Sequence, residues 1–136
     1  MIYLDSAAVV KLVRLEAEST ALIAWLNGQS SLPLVASTLV EVEVPRALRR
    51  SQPGVLGSVA AVLARLYRVE INSAVRAIAG AYPDPMLRSL DAIHLATADL
   101  LAASGKAITA FVTYDKRLAE AARQAGLPVV IPGQAL

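Results

Sequence analysis

Short apolar segments alternate with longer stretches of helical periodicity along almost the whole chain. Brief apolar runs bounded by turn residues are typical of buried strands, as is one segment that alternates polar and apolar residues. These segments predict five strands, at residues 2–4, 34–36, 68–71, 110–113 and 129–131. Helical stretches separate them, and this alternation favours a parallel sheet covered on both faces.

Apolar residues that recur three and four positions apart predict the helices between the strands. The predicted helices span residues 5–13, 16–27, 37–50, 55–66, 73–81, 87–103 and 115–125. Asp5 or Ser6 is suited to cap the first of these helices. Ser37 or Thr38 is suited to cap the third, in which Pro45 predicts a kink or a late start.

The length and the element pattern together predict one α/β domain over residues 1–136. A chain of 136 residues is usual for a single domain, and it shows no internal repeat and no linker. We expect a short central parallel sheet flanked by helices on both faces.

The composition is rich in apolar residues, at 56% hydrophobic with a mean hydropathy of +0.54. This surplus indicates an apolar core together with apolar surface for a partner. No apolar run approaches the ~18 residues that a membrane-spanning helix requires. The start of the chain lacks the basic segment of a secretory signal. We therefore expect a cytoplasmic protein without membrane contact.

Missing residue types narrow the possible chemistry. The absence of cysteine excludes disulfides, thiolate nucleophiles and cysteine-ligated zinc. A single histidine excludes two-histidine zinc sites and two-histidine acid–base catalysis. The net charge of +2 permits a polyanionic substrate without indicating general nucleic-acid binding.

Two aspartates directly follow predicted strands. Asp5 comes after the first strand and Asp115 after the fourth, at the carboxyl ends where open α/β sheets bind ligands. Each also starts a predicted helix, so simple N-capping is the alternative for either residue taken alone. Because both lie at the same edge of the sheet, a shared site is favoured.

Further acids lie within predicted helices. Asp91 stands among apolar residues in the helix at 87–103, where burial of an unpaired charge is costly. It therefore either serves a site or pairs with Arg88, three residues earlier. Glu41 and Glu43 are two residues apart and point to different helix faces, so at most one of them faces the same site.

Several carboxylates in one cleft repel each other and stay ionised together only if a cation neutralises them. Ligand sets made only of oxygen select hard divalent ions such as Mg²⁺ or Mn²⁺. Such an ion activates a bound water and stabilises charge on a phosphoryl group. This chemistry is that of phosphodiester hydrolysis.

Four segments resemble the motifs of PIN-domain nucleases. They are residues 2–8 (IYLDSAA), 42–50 (VEVPRALRR), 90–98 (LDAIHLATA) and 112–118 (VTYDKRL). Their order and spacing, and the total length, resemble the VapC toxins of bacterial toxin–antitoxin pairs over nearly the whole chain. Each motif is weak alone, and the ordered set is specific.

The resemblance implies a metal-dependent endoribonuclease that acts as the toxin of such a pair. It also implies an RNA substrate, a cognate antitoxin and a homodimer. The acids that carry over as catalytic and metal-binding residues, for Mg²⁺ or Mn²⁺, are Asp5, Glu43, Asp91 and Asp115. Glu43 is preferred to Glu41 because residues 46–50 follow the family pattern, although Pro45 replaces its usual aliphatic residue.

Polar residues beside these acids are candidates for supporting roles. Ser6 and Thr113 are placed to hydrogen-bond the carboxylates or a metal-bound water, although Ser6 could equally be a helix cap. Lys116 and Arg117 follow Asp115 and are placed to meet an RNA phosphate.

Two further features have an ordinary interpretation as well as a functional one. His94 lies three residues after Asp91 and is expected to pack or hydrogen-bond rather than touch substrate. Arg46, Arg49 and Arg50 form a basic stripe at helical spacing. This stripe either binds RNA phosphates or is an ordinary solvated helix face.

Two other classes of protein that use aspartates fit this sequence less well. An aspartyl-phosphate phosphatase requires a second Asp two residues after Asp5, where this chain has Ala7. A receiver-type signalling module requires paired acids after the first strand and a phosphoacceptor Asp after a central strand, and the middle of the chain supplies neither. The remaining alternative is a catalytically silent PIN-like protein that only binds a partner.

Overall fold

Five parallel strands form the centre of the computed structural model, which describes residues 1–134. The strands are β1 (Ile2–Leu4), β2 (Leu34–Ser37), β3 (Leu66–Val69), β4 (Ala110–Val112) and β5 (Val129–Val130). They pair in the order β3-β2-β1-β4-β5, and every pair is parallel. The predicted parallel sheet is confirmed. Ala135 and Leu136, the end of the predicted domain, lie outside the described residues.

Helices connect the strands and cover the sheet. They are α1 (Ser6–Val13), α2 (Ser19–Asn27), α3 (Val40–Ser51), α4 (Val59–Leu63), α5 (Ser73–Ala81), α6 (Ser89–Ala103) and α7 (Lys116–Gln124), with a 3₁₀ turn at Pro53–Ser58 before α4. Within residues 1–134, no helix combines the length and the apolar character needed to cross a bilayer.

The two faces of the sheet carry separate cores, because successive strand residues point to opposite sides. Ile2 and Leu4 pack on the face covered by α1, α2, α3 and α4. Tyr3 points to the other face, which α6 and α7 cover, and stacks on Phe111 with ring centroids 5.1 Å apart. Both faces of the sheet are therefore buried, as the fold class predicts.

The start of α3 differs from the prediction that Ser37 or Thr38 caps it. Ser37 instead ends β2, and its hydroxyl accepts a hydrogen bond from the Leu39 N–H. The helix begins at Val40 and contains Pro45 in its interior, so Pro45 does not set its start. A strand that ends at Ser37 needs a turn before the chain can become helical, and this turn displaces the cap.

The predicted helix at residues 55–66 is wrong in its extent. Most of its first half is the 3₁₀ turn, α4 is only five residues long, and Leu66 belongs to β3, where it pairs with Leu34. Apolar residues on most faces of this segment give no clear helical period, and strand pairing decides the conformation of its end. The predicted starts at residues 16 and 87 are also too early, since the helices begin at Ser19 and Ser89.

Two glycines provide a matched test of the backbone conformations assigned to the end of α7 and to α5. Gly126 follows α7 with φ +84°, in the left-handed region that a side chain strains. Gly80 lies within α5, and a Cβ added there would meet nothing within 4 Å. Gly126→Ala should lower the free energy of unfolding by about 1 kcal/mol, and Gly80→Ala should raise it by about 0.5 kcal/mol. Urea unfolding measures both, and effects of the same sign would contradict the assignment.

Candidate active site

The candidate site lies where the strand order changes direction, between β1 and β4. The chain leaves β1 toward one side of the sheet and β4 toward the other, which opens a crevice beyond their carboxyl ends. Asp5 follows β1 there, and Thr113 and Asp115 follow β4. The Asp5 N–H donates to the Val112 carbonyl at 3.2 Å, so the two strand ends are held together. The predicted sharing of one edge by Asp5 and Asp115 is confirmed.

Asp5 is a buried carboxylate with both oxygens in hydrogen bonds. Oδ1 accepts from the Ala8 N–H at 2.9 Å and so caps α1, while Oδ2 accepts from the Thr113 hydroxyl at 2.5 Å. Burial raises the pKa of Asp5 above its usual value, and the charge of Asp91 acts in the same direction. His94, Thr113 and the Ala8 N–H oppose the rise in pKa without cancelling it. A nearby cation would therefore stabilise the ionised form.

Asp115 likewise serves as a helix cap within the site. Its Oδ1 accepts from the Leu118 N–H at 2.8 Å, which caps α7. Its own N–H donates to the Thr113 hydroxyl oxygen at 3.1 Å. Thr113 thus links Asp5 and Asp115 through one buried hydroxyl, as its predicted supporting role suggests. For both aspartates, capping and a shared location occur together rather than as alternatives.

Glu43, and not Glu41, faces this crevice. The Oε1 atom of Glu43 accepts from the Ser6 hydroxyl at 2.6 Å and contacts His94 Nε2 at 2.9 Å. Glu41 lies on the exposed face of α3 and pairs with Arg68 at 3.2 Å. Burial acts to raise the pKa of Glu43, but the hydrogen bonds from His94 and Ser6 outweigh it, and the pKa falls below its usual value. Glu43 is therefore held as a carboxylate.

His94 connects Glu43 to the sheet. Its buried ring contacts the Tyr3 hydroxyl through Nδ1 at 2.8 Å, and Glu43 and Ser6 through Nε2. A carboxylate only accepts, so Nε2 carries a proton toward Glu43. Burial, reinforced by the charge of Asp5, raises the pKa of Tyr3 well above its usual range, so Tyr3 keeps its proton.

The hydrogen-bonding role expected of His94 is confirmed, and its bond to Glu43 and the part played by Tyr3 were not predicted. The available signals were the three-residue spacing between Asp91 and His94 and the lone hydroxyl in the apolar strand β1. Neither signal identifies a partner, because the contacts join residues 51 and 91 positions apart.

Asp91 does not interrupt a helix interior, which corrects the sequence interpretation. Because α6 begins at Ser89, Asp91 lies in its first turn, where the helix dipole favours a negative charge. The ion pair with Arg88, which was the alternative interpretation of Asp91, is present, with Arg88 Nε 3.1 Å from Asp91 Oδ2. The same guanidinium reaches Asp115 Oδ2 through Nη2, also at 3.1 Å. Arg88 therefore bridges two of the four predicted acids.

The four predicted acids lie near the same edge of the sheet, at distances too large for three of them to bind one ion in the described structure. Within the described residues 1–134, no three acidic or histidine side chains converge closely enough to hold a metal ion. The donor chemistry fits a hard divalent cation nonetheless, since every candidate ligand is a carboxylate. Asp5 and Asp91 are also close enough for the charge of one to raise the pKa of the other.

The basic candidates surround the site without entering it. Lys116 and Arg117 are exposed in the first turn of α7, next to Asp115. The predicted stripe of Arg46, Arg49 and Arg50 is exposed on α3, the helix that carries Glu43. None of these five basic side chains forms an ion pair within the described part of the chain.

The raised pKa of Asp5 predicts how stability depends on pH in metal-free protein. A carboxyl whose folded pKa exceeds its unfolded value contributes stability that is full below the unfolded pKa and is lost as pH rises through the folded pKa. Asp5→Asn retains an oxygen that can cap α1 and cannot ionise. In EDTA, this variant should be more stable than the parent at neutral pH, by a margin that shrinks on acidification.

Urea unfolding between acidic and neutral pH measures this margin, with the exposed Asp84→Asn as control. A margin that does not change with pH, or a less stable Asp5→Asn variant at neutral pH, would contradict the assigned burial.

The sequence matches a family model described as the PIN domain over residues 2–124. It is 55% identical over 135 residues to Ribonuclease VapC35 of Mycobacterium tuberculosis, covering 99% of each chain. The fold is similar to the crystal structure of Mycobacterium tuberculosis VapC20, described as a sarcin-ricin loop cleaving toxin. That similarity has a TM-score of 0.69 at 15% identity, covering 89% of this chain and 95% of the other.

The fold is also similar to VapBC2 from Rickettsia felis, whose structure contains a DNA fragment from the promoter of that pair. The TM-score is 0.70 at 14% identity, and the similarity covers 97% of this chain and 99% of the matched one. At such low identity these two structures bear on the fold alone.

Proposed function

The chain belongs to the PIN-domain family and, within it, to the VapC ribonucleases, and we propose that it is an Mg²⁺- or Mn²⁺-dependent endoribonuclease. The observation that carries the metal requirement is the gathering of carboxylates at the strand switch, where Thr113 bonds both Asp5 and the Asp115 N–H and Arg88 bridges Asp115 to Asp91. A site that gathers ionised carboxylates in this way needs a cation. The identity to a ribonuclease over the full chain supports RNA as the substrate.

We assign the cation chiefly to Asp5 and Asp91, with Glu43 and Asp115 completing the site. When bound, the ion supplies an activated water and stabilises charge on the phosphate. Thr113 orients Asp5 through the 2.5 Å bond to Oδ2. Ser6 and His94 hold Glu43 by Oε1, which leaves Oε2 to accept a proton from the attacking water.

Basic side chains near the site are suited to hold the RNA backbone. Lys116 and Arg117 lie beside Asp115 at the start of α7, where the helix dipole also favours a phosphate. The exposed arginine stripe on α3 extends from the helix that carries Glu43. We assign these residues to sequence-independent phosphate contacts, which weaken as salt increases.

We further propose that the protein is the toxin of a toxin–antitoxin pair, a cytoplasmic homodimer inhibited by a cognate antitoxin. The 55% identity to a VapC ribonuclease over the full chain supports a partner of that kind. Large apolar side chains exposed on the surface are consistent with contact to another chain, and they include Leu15, Val42 and Leu90.

The two glutamates of α3 provide a matched test of the active site. Glu43→Gln should lower the rate of RNA cleavage by about 10²- to 10⁴-fold, the usual contribution of an acid–base group. Glu41→Gln removes the same charge on the exposed face and should leave the rate within about twofold. Cleavage of purified bacterial total RNA is measured for both variants with Mn²⁺, and for the parent also in EDTA.

Full activity of the parent in EDTA would contradict the metal requirement, and equal rates for the two variants would contradict the assignment of Glu43. A parent protein that Mn²⁺ stabilises against heat but that cuts no RNA would be the catalytically silent alternative.

A further inference from the structure

We propose that Arg88 holds the carboxylates of Asp91 and Asp115 in the metal-free protein and moves to an RNA phosphate when a divalent cation binds. The inference rests on the proposed function, because it assumes that these acids serve a cation. It assigns a positioning and substrate-binding role to a residue that the sequence motifs leave aside.

Arg88 lies between the two helix starts that carry these acids. It directly precedes α6, so its side chain leaves the backbone beside Asp91, and it reaches across to Asp115 at the start of α7. Nε contacts Asp91 Oδ2 and Nη2 contacts Asp115 Oδ2, each at 3.1 Å. One guanidinium thus offsets half of the negative charge of two carboxylates that would otherwise repel each other.

Arg88 and a cation compete for the same oxygen of Asp115. Oδ1 of Asp115 is committed to the Leu118 N–H, which caps α7. Oδ2 is the remaining oxygen, and Arg88 occupies it. A cation on Oδ1 would weaken the cap of α7, and a cation on Oδ2 would lie against the positively charged Arg88 guanidinium, which it repels. Loss of an N-cap typically costs about 1 kcal/mol of helix stability, which favours the departure of Arg88.

The surroundings of Arg88 allow it to leave. Its side chain is 70% exposed, and within residues 1–134 its only side-chain bonds are those to Asp91 and Asp115. Asp91 and Asp115 are less exposed, at 18% and 33%, and Asp115 keeps its capping bond to the Leu118 N–H without Arg88. Exposed ion pairs are weak, so a dication that binds both carboxylates displaces the guanidinium readily.

A displaced Arg88 is well placed to bind substrate. Its planar guanidinium matches the oxygens of a phosphodiester, which it can hold with two parallel hydrogen bonds. It would stand beside the cation and close to Lys116 and Arg117, on the side of the crevice formed by α6 and α7. The same side chain therefore opposes metal binding and favours RNA binding.

Opposite effects on two ligands make the proposal testable. Mn²⁺ affinity is measured by calorimetry, without RNA, for the parent, Arg88→Gln, Arg88→Lys and Arg117→Gln. Arg88→Gln should bind Mn²⁺ about three- to tenfold more tightly than the parent, as expected for loss of two weak competing ion pairs. Arg117→Gln removes a neighbouring charge outside those pairs and should change the affinity by less than about twofold. Arg88→Lys keeps the charge without the two-pronged geometry and should fall between the parent and Arg88→Gln.

RNA affinity is measured separately with a short fluorescent RNA of mixed sequence, with Ca²⁺ in place of Mg²⁺ to suppress cleavage. Arg88→Gln should weaken binding about three- to tenfold, which is the opposite of its effect on Mn²⁺. In the parent, the Nε–H resonance of Arg88, identified by its absence in Arg88→Lys, should shift with Mg²⁺ at the midpoint of metal binding.

Unchanged or weaker Mn²⁺ binding by Arg88→Gln, in a parent that does bind Mn²⁺, would overturn the proposal and leave the proposed function intact. Equal tightening by Arg117→Gln would also overturn it, because a general charge effect would then suffice. A parent that binds no Mn²⁺ and cuts no RNA would instead contradict the proposed function itself.

Discussion

The cost of burying a carboxylate at one edge of a small parallel sheet is the constraint on which this site depends. Parallel pairing brings the carboxyl ends of β1 and β4 together, and with them Asp5 and Asp115. Burial then makes the ionised form of Asp5 unfavourable, and the charge of Asp91 adds to the effect. Each polar contact of the site reduces this cost, through the hydroxyl of Thr113, the ring of His94 and the guanidinium of Arg88.

Two side chains of the candidate site also stabilise the fold as helix caps. Asp5 and Asp115 each use one oxygen to cap a helix and the other for the site, so the backbone itself sets their orientation. Glu43 is fixed in a different way, by side chains from β1, α1 and α6 that meet above the sheet. In the proposed assignment, Asp5 binds the ion together with Asp91, Asp115 completes the site, and Glu43 handles a proton.

Periodicity and strand ends were sufficient to predict the α/β class, the parallel sheet and the common edge of Asp5 and Asp115. Those features depend on local patterns that the chain displays directly. The choice of Glu43 over Glu41 came from a resemblance, and it agrees with the contacts in the structure. The contact of Arg88 with Asp115 and the bond between His94 and Glu43 could not be predicted, because they depend on how distant helices approach each other. The short α4 was missed because its segment is apolar on most sides and pairing with β2 determines where the strand β3 begins.

Diffraction at the manganese absorption edge tests most directly whether Asp5 and Asp91 share one hard cation. Crystals grown with Mn²⁺ should show one anomalous peak at about 2.0–2.2 Å from a carboxylate oxygen of each residue, with waters completing the coordination. Binding of Mn²⁺ only elsewhere on the surface, or the absence of any peak between these two side chains at saturating Mn²⁺, would contradict the account.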